Sequence, residues 1–329
     1  MDVKISKAGL GSGTSLWVSE VPAGEDVTGF ALVLFKEERV TREGASYLSL
    51  TLGDRLGQVN AKLWDSSSQD FTGIEQYSLV KIRGTMGQWQ GQKQLRIQKI
   101  RLARASDSVA PEDFVAAAPE RGEEMLAYVH ETVEDLGHPH IRALLQKVLW
   151  EHQEKLLIAP AASRNHHAVR SGLLYHIKTM LRAGLSLLPV YPFLNKDLLV
   201  AGIILHDMSK LEELEIDPLG VASHYSVEGN LLGHLVMGVT QIDRVSREVG
   251  MDRETALLLE HMILSHHYEP EFGSPKRPAF PEAELLHYLD ILDARLYDMN
   301  QVMADMSPGS CSDRVWRLES RRLYRPKGL

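Results

Sequence analysis

Cysteine is nearly missing from this chain: Cys311 is the only one in 329 residues. One thiol excludes an intramolecular disulfide and fits a reducing compartment. Long apolar runs are missing too. The longest clean one, residues 198–205, falls far short of the roughly 20 residues that span a bilayer. The opening residues Met-Asp-Val-Lys-Ile-Ser-Lys contain no apolar stretch leading to a small-residue cleavage site, so no secretory signal is read there. These absences lead to the expectation of a cytoplasmic protein with no membrane partner. No internal repeat or low-complexity tract is found, which argues against a solenoid. Histidine is missing from the first 129 residues: all 14 lie at or beyond His130.

What is present is an ordinary globular composition, 44% hydrophobic and 24% charged, on a chain long enough for two domains. The net charge of −8 conceals an asymmetry. Residues 1–105 carry 14 Lys/Arg against 11 Asp/Glu, and the remainder carries 22 against 33. A mildly basic first part before an acidic, histidine-rich second part suggests a polyanion-binding module joined to a metal-binding one.

The pattern along the chain agrees. Residues 27–35, 47–52, 59–64, 79–84 and 94–101 alternate or are rich in β-branched and aromatic side chains, with Gly53-Asp54 and Gln90-Gly91 as turn signals. Five short strands predict a small β-barrel over residues 1–105. An Ala/Ser/Pro/acid-rich stretch, 106–121, reads as a linker. Apolar spacing of three to four residues then predicts helices over 122–136, 139–159, 164–188, 195–205, 226–249, 253–265 and 281–303. They form an all-α domain, 122–306, followed by a basic tail, 307–329.

The chemistry sits in the helical part. His206 and Asp207 end the apolar run 198–205. Burying an imidazole and a carboxylate unpaired is costly, so a cation is their natural partner. His176, His234, the pair His266-His267, and Asp290 with Asp293 one turn on complete an inventory that suffices for two metals bridged by Asp207. Mixed imidazole–carboxylate donors suit Mn, Fe, Ni, Co or Zn better than Mg or Ca. Two such ions polarise a phosphoryl group from both sides. Read singly, each residue is more simply a packed histidine or a solvated lysine. His166 and His167 are assigned to packing or ligand support, as are His224, His261 and His287, while Asp293 is either ligand support or a plain helix carboxylate.

Taken together, Asn165-His166-His167, Gly172-Leu173-Leu174-Tyr175-His176, Leu205-His206-Asp207-Met208-Ser209-Lys210 and Asp290 resemble the H…HD…D signature of HD phosphohydrolases. The chain as a whole is similar to the YhaM family of 3′→5′ exoribonucleases, which joins an N-terminal OB-fold to an HD domain. That resemblance implies His176, His206, Asp207 and Asp290 around one metal, and His234, His266, His267 and the shared Asp207 around a second. It also implies Lys210 at the scissile phosphate and release from the 3′ end. Ser209 and Tyr268 depart from the family, which commonly has glycine at both places. The N-terminal stretches resemble an OB-fold that binds single-stranded nucleic acid, with Tyr47, Trp89, Lys62, Arg83 and Lys93 as candidate contacts. Phe35, Trp64 and Arg96 are further candidates, with Trp64 expected to face the core.

The expected function is a manganese-dependent 3′-5′ exoribonuclease acting on single-stranded RNA, with single-stranded DNA as a further substrate and a homo-oligomer left open. The alternatives are an HD hydrolase of a small nucleotide or cyclic dinucleotide, and a non-catalytic nucleic-acid-binding protein with a structural metal.

Overall fold

The computed structural model describes residues 14–15, 17–41, 44–64, 73–110, 113–162 and 167–328. His166 and the start of the helix expected from residue 164 lie outside them. The chain divides into two compact units, Met1–Ala117 and Ala118–Leu329. Among the described residues no helix is long and apolar enough to cross a membrane.

The first unit contains β1 (Thr14–Ser15), β2 (Asp26–Val40), β3 (Ser46–Asp54), β4 (Gly57–Trp64), β5 (Leu79–Trp89) and β6 (Gln92–Leu102). Their order is β1-β2-β3-β4-β6-β5, and β5 pairs back onto β2, closing β2 to β6 into the expected five-stranded OB-type barrel. Within the closed ring only β4 and β6 run parallel. β2 is longer than its alternation predicts because it serves two partners. Asp26–Leu32 pair with β5 and Leu32–Val40 with β3, and the register shifts between Val33 and Phe35. Closing so small a barrel requires one strand to bend across the seam.

Every second side chain points inward. On β4 these are Val59, Ala61 and Leu63, all buried. That parity puts Trp64 outside, 44% exposed, contrary to its expected place in the core. Beyond β6 the chain stays docked: Asp107 pairs with Arg101 at 2.7 Å, and buried Phe114 meets Trp17 edge-on at 6.2 Å. The change in composition at residue 105 therefore marks the end of the last strand and not the end of packing.

The second unit is helical: α1 (Gly122–Glu134), α2 (Pro139–Leu156), α3 (Gly172–Leu187), α4 (Lys196–Leu205), α5 (Lys210–Glu213), α6 (Val227–Glu248), α7 (Arg253–Ser265) and α8 (Pro281–Ala304). Between α5 and α6 lies a hairpin of β7 (Leu214–Ile216) and β8 (Ala222–Tyr225). The helix starts are capped. The side chains of Asn195, Ser226 and Asp252 accept from Leu198, Gly229 and Thr255 N–H, and Pro139 and Pro281 occupy first turns. α4 is apolar on every face and buried from Leu199 to Leu205, so it forms the centre of the unit.

α3 begins later than expected because the chain before it turns through left-handed residues, His167 (φ 53°) and Ser171 (φ 59°). A Cβ at Gly172 would lie 1.9 Å from the His167 carbonyl oxygen, so only glycine admits the turn. α5 and the hairpin escaped sequence reading because elements of three or four residues carry no measurable period. His224, expected in a packing role, is exposed on β8. The tail is tied down. Val315 and Cys311 bridge to Arg321 and Tyr324, Leu318 and Leu323 are buried, and Arg325 donates to the Met303 and Ala304 carbonyls that end α8.

Candidate active site

His206 caps the C-terminus of α4 and Asp207 follows it, both buried. The His206 Nδ1–H donates to the Ile203 carbonyl at 2.8 Å, which leaves Nε2 as a bare lone pair facing Asp207 Oδ2 at 3.3 Å. α7 repeats the device: His266 Nδ1–H donates to Ile263 O at 2.8 Å, and His267 Nδ1–H to Phe272 O at 2.6 Å. His234 needs a break to reach the same place. Gly233 (φ 70°, ψ 159°) interrupts α6 directly before it. The Glu213 carboxylate then accepts from both the His234 main-chain N–H (3.0 Å) and its ring Nδ1–H (3.1 Å).

The result is a buried set of Nε2 atoms around one carboxylate. Asp207 Oδ1 lies 3.5 Å from His234 Nε2 and 3.8 Å from His266 Nε2. Its Oδ2 lies 2.7 Å from Lys210 Nζ. Donor atoms within 4.8 Å of one another form two groups that share Asp207: His176, His206 and Asp207, and Asp207, His234, His266 and His267. Asp290 stands beside the first, its Oδ1 3.2 Å from His176 Nε2. Asp293 Oδ2 accepts from His176 Nδ1 (2.7 Å) and His167 Nε2 (2.9 Å), and the His167 ring stacks on Tyr297 at 3.8 Å. A third group, His167, His176 and Asp293, meets the same distance limit.

The electrostatics fit a cation. Buried Nε2 of His206, His234 and His266, and Oδ1 of Asp207, have no hydrogen-bond partner among the described residues. Each such orphan costs about 1–3 kcal/mol unless something satisfies it, and a divalent ion satisfies lone pairs that no proton donor reaches. Burial pushes His266 well below the usual imidazole range and lowers His267, favouring the neutral, ligating form. Burial opposes ionisation of Asp207, yet Lys210 and His206 hold it well below the usual carboxylate range. Burial also lowers His176, but the Asp290 and Asp293 carboxylates outweigh it and carry the metal-free imidazolium up to about 10.

The sequence reading missed Glu213, because Leu-Glu-Glu-Leu looks like a solvated face; the only signal was an acid two turns after His206-Asp207. His287 donates from Nδ1 to the His266 carbonyl at 2.7 Å, which props the His pair. Tyr268 occupies a left-handed position (φ 68°), a backbone conformation uncommon for a bulky residue. Its ring is held against His287 (4.7 Å) with Arg277 over it (4.9 Å). Ser209 is buried opposite Gly238, where a Cβ would lie 3.5 Å from its hydroxyl.

On the barrel, Tyr47 and Trp64 are cross-strand partners and stack at 4.7 Å. Lys62 is next along β4, 5.4 Å from the Tyr47 ring and bonded to Ser49 Oγ at 2.5 Å, and Arg96 pairs with it in register from β6. Half-exposed Phe35 lies on the adjoining strand. Trp89, 64% exposed, and Lys93 sit apart at the β5–β6 turn, where the Lys93 amine donates to the Ser19 carbonyl at 3.2 Å. Arg83 is exposed further round, on β5 between Thr28 and Lys99. The five candidates therefore divide into one wall (Tyr47, Lys62), one turn (Trp89, Lys93) and one outlier (Arg83).

The HD domain matches residues 173–295. The chain is 40% identical over 303 residues to the 3′-5′ exoribonuclease YhaM of Shouchella clausii (strain KSM-K16), covering 92% of this chain and 94% of that one. It is 37% identical over 303 residues to the protein of that name from Bacillus subtilis (strain 168), covering 92% and 96%. Among solved structures, the second OB-fold domain of replication protein A from Methanococcus maripaludis aligns with 28% of this chain and 96% of its own length. The identity there is 19% and the TM-score 0.23.

Proposed function

The chain belongs to the YhaM family of 3′-5′ exoribonucleases, and on that premise we propose that it is a two-metal phosphodiesterase that shortens single-stranded RNA from the 3′ end and also accepts single-stranded DNA. It is a hydrolytic nuclease, and its HD domain implies a divalent metal. The observation that carries the finer reading is Asp207, whose carboxylate is shared by two groups of donors, among which the Nε2 atoms of His206, His234 and His266 have no hydrogen-bond partner among the described residues. His176, His206, Asp207 and Asp290 would hold one ion; Asp207, His234, His266 and His267 would hold the other. Ions bound there would supply Lewis-acid polarisation of the scissile phosphoryl group and an activated water at neutral pH.

The chain's own residues do the rest. Lys210 orients Asp207 through its 2.7 Å contact and adds positive charge where the scissile phosphate gains negative charge. Asp293 fixes the His176 ring, and Glu213 that of His234, so that each presents Nε2. Tyr47 and Trp64 offer ring faces to unpaired bases, while Lys62 and Arg96 follow the phosphates. Trp89 with Lys93 and exposed Arg83 extend that contact to other parts of the barrel.

The test is incubation of 5′-labelled single-stranded RNA with the chain in Mn²⁺, Mg²⁺ or chelator, with Fe²⁺, Ni²⁺, Co²⁺ and Zn²⁺ as further arms. A ladder shortening from the 3′ end, strongest in Mn²⁺ and absent in chelator, is expected. Undiminished cleavage in chelator would overturn the metal assignment.

A further inference from the structure

The second unit is a poor surface for RNA by charge alone. Residues 118–306 carry 16 Lys/Arg against 28 Asp/Glu, whereas residues 307–329 carry six against two. The net negative charge of this unit disfavours a polyanion, and the tail reverses the sign. The tail is not loose: the two bridges, buried Leu318 and Leu323, and the Arg325 cap on α8 hold it in one conformation. That rigid turn displays Trp316 at 82% exposure and Tyr324 at 54%. A buried anchor beneath a solvated indole is an unfavourable arrangement for a tail whose only task is packing. Arg317 and Arg321 are engaged with Asp298 (3.3 Å) and Glu319 (3.6 Å). Arg314, Arg322 and Lys327 are exposed and have no ion-pair partner among the described residues.

We propose that this C-terminal turn is a second single-stranded RNA contact, in which Trp316 and Tyr324 stack on bases while Arg314 and Arg322 meet phosphates. Solvated aromatic faces interleaved with unpaired guanidinium groups are what such a strand requires. The position suits a strand already threaded into the site. α8 carries Asp290 and Asp293 at the donor cluster and Asp298 against Arg317 of the turn. Eight residues of helix separate Asp290 from Asp298, a rise of about 12 Å. The nucleotides just upstream of a 3′ end held at Asp290 therefore have the turn within reach, and it acts as a grip on the strand between successive cleavages. This inference rests on the proposed exoribonuclease reading.

The experiment uses the full-length chain in chelator with 12-nucleotide RNAs carrying 5-iodouridine at single positions counted from the 3′ end, followed by irradiation and peptide mapping. Adducts on Trp316 or Tyr324 are expected from positions a few nucleotides upstream of the end. In parallel, Arg314→Ala/Arg322→Ala should bind the same RNA more weakly and lower the slope of log affinity against log salt by about 1.4, the value for two phosphates on a single strand. Trp316→Ala should weaken binding by about tenfold. Failure of the wild-type chain to shorten RNA in Mn²⁺ would remove the exoribonuclease reading itself. A chain that shortens RNA, gives no adduct on the turn and keeps its affinity and salt slope in the double variant would overturn this contact alone. Light scattering separates the remaining case: a Trp316→Ala chain that loses affinity only because an oligomer dissociates would show the turn to be a subunit interface and also overturn it.

Discussion

The barrel and the helical unit carry function in opposite ways. On the barrel, alternation along β3 and β4 leaves Tyr47, Lys62 and Trp64 on the solvent side while Leu48, Leu50 and Leu63 make the core. Binding side chains there cost little to display, because nothing in the core depends on them. In the helical unit the donors are inside. His176, His206, Asp207 and His266 are all buried; each histidine is held by a hydrogen bond to a backbone carbonyl or a carboxylate, and Asp207 accepts from the Lys210 ammonium. Precise placement of these donor atoms is obtained at the expense of buried charge, which persists only while every partner is present. Substitution on the wall should change binding alone; substitution in the cluster should change metal, chemistry and stability together.

Asp207→Ala tests that contrast most severely. It removes the carboxylate common to both donor groups and leaves Lys210 buried without its anion. RNA shortening in Mn²⁺ should fall by about a thousandfold or more. Gel analysis of a variant that still degraded RNA at the wild-type rate would break the comparison at its centre. Glu213→Ala should lower affinity for Mn²⁺ by about 10–100-fold, read by calorimetry. Glu213→Gln should recover part of it, because the amide oxygen still accepts from His234. An unchanged metal affinity in the alanine variant would make Glu213 a bystander.

The third test uses pH. In the metal-free chain the His176 pKa is raised, to about 10, over its ordinary 6.5. Its stabilising contribution is therefore complete below about 6.5 and is lost as pH climbs through about 10. A metal ligated at His176 must displace that proton, so Mn²⁺ affinity should rise with pH across the same window. Calorimetry in buffers of different ionisation enthalpy should show a proton released on binding at pH 8. No release there would mean that His176 is already neutral. The smallest effect belongs to the wall: Trp64→Ala should weaken binding of a 12-nucleotide RNA by about tenfold and leave the melting temperature almost unchanged. A large drop in melting temperature would return Trp64 to the core and erase the distinction between the units.

Much of this was legible without coordinates. Strand alternation and helical spacing identified a barrel followed by a helical domain, and the candidate donors stood out only as a set, since each histidine or aspartate read singly has a simpler use. Trp64 was misjudged because parity within β4, not side-chain chemistry, decides which face it takes. Glu213 was passed over because a buried glutamate reads like a solvated one until its partner, 21 residues away, is known.

The sequence by itself determined the two kinds of unit, the donor inventory and the sign of charge along the chain, since local periodicity and composition suffice for these. Only the tertiary structure decided that Asp207 stands between two donor groups, that Gly233 breaks a helix to deliver His234, and that the basic tail is pinned against α8. Those depend on contacts between residues distant in the chain, where the direction of a single side chain is set by packing that no local pattern encodes.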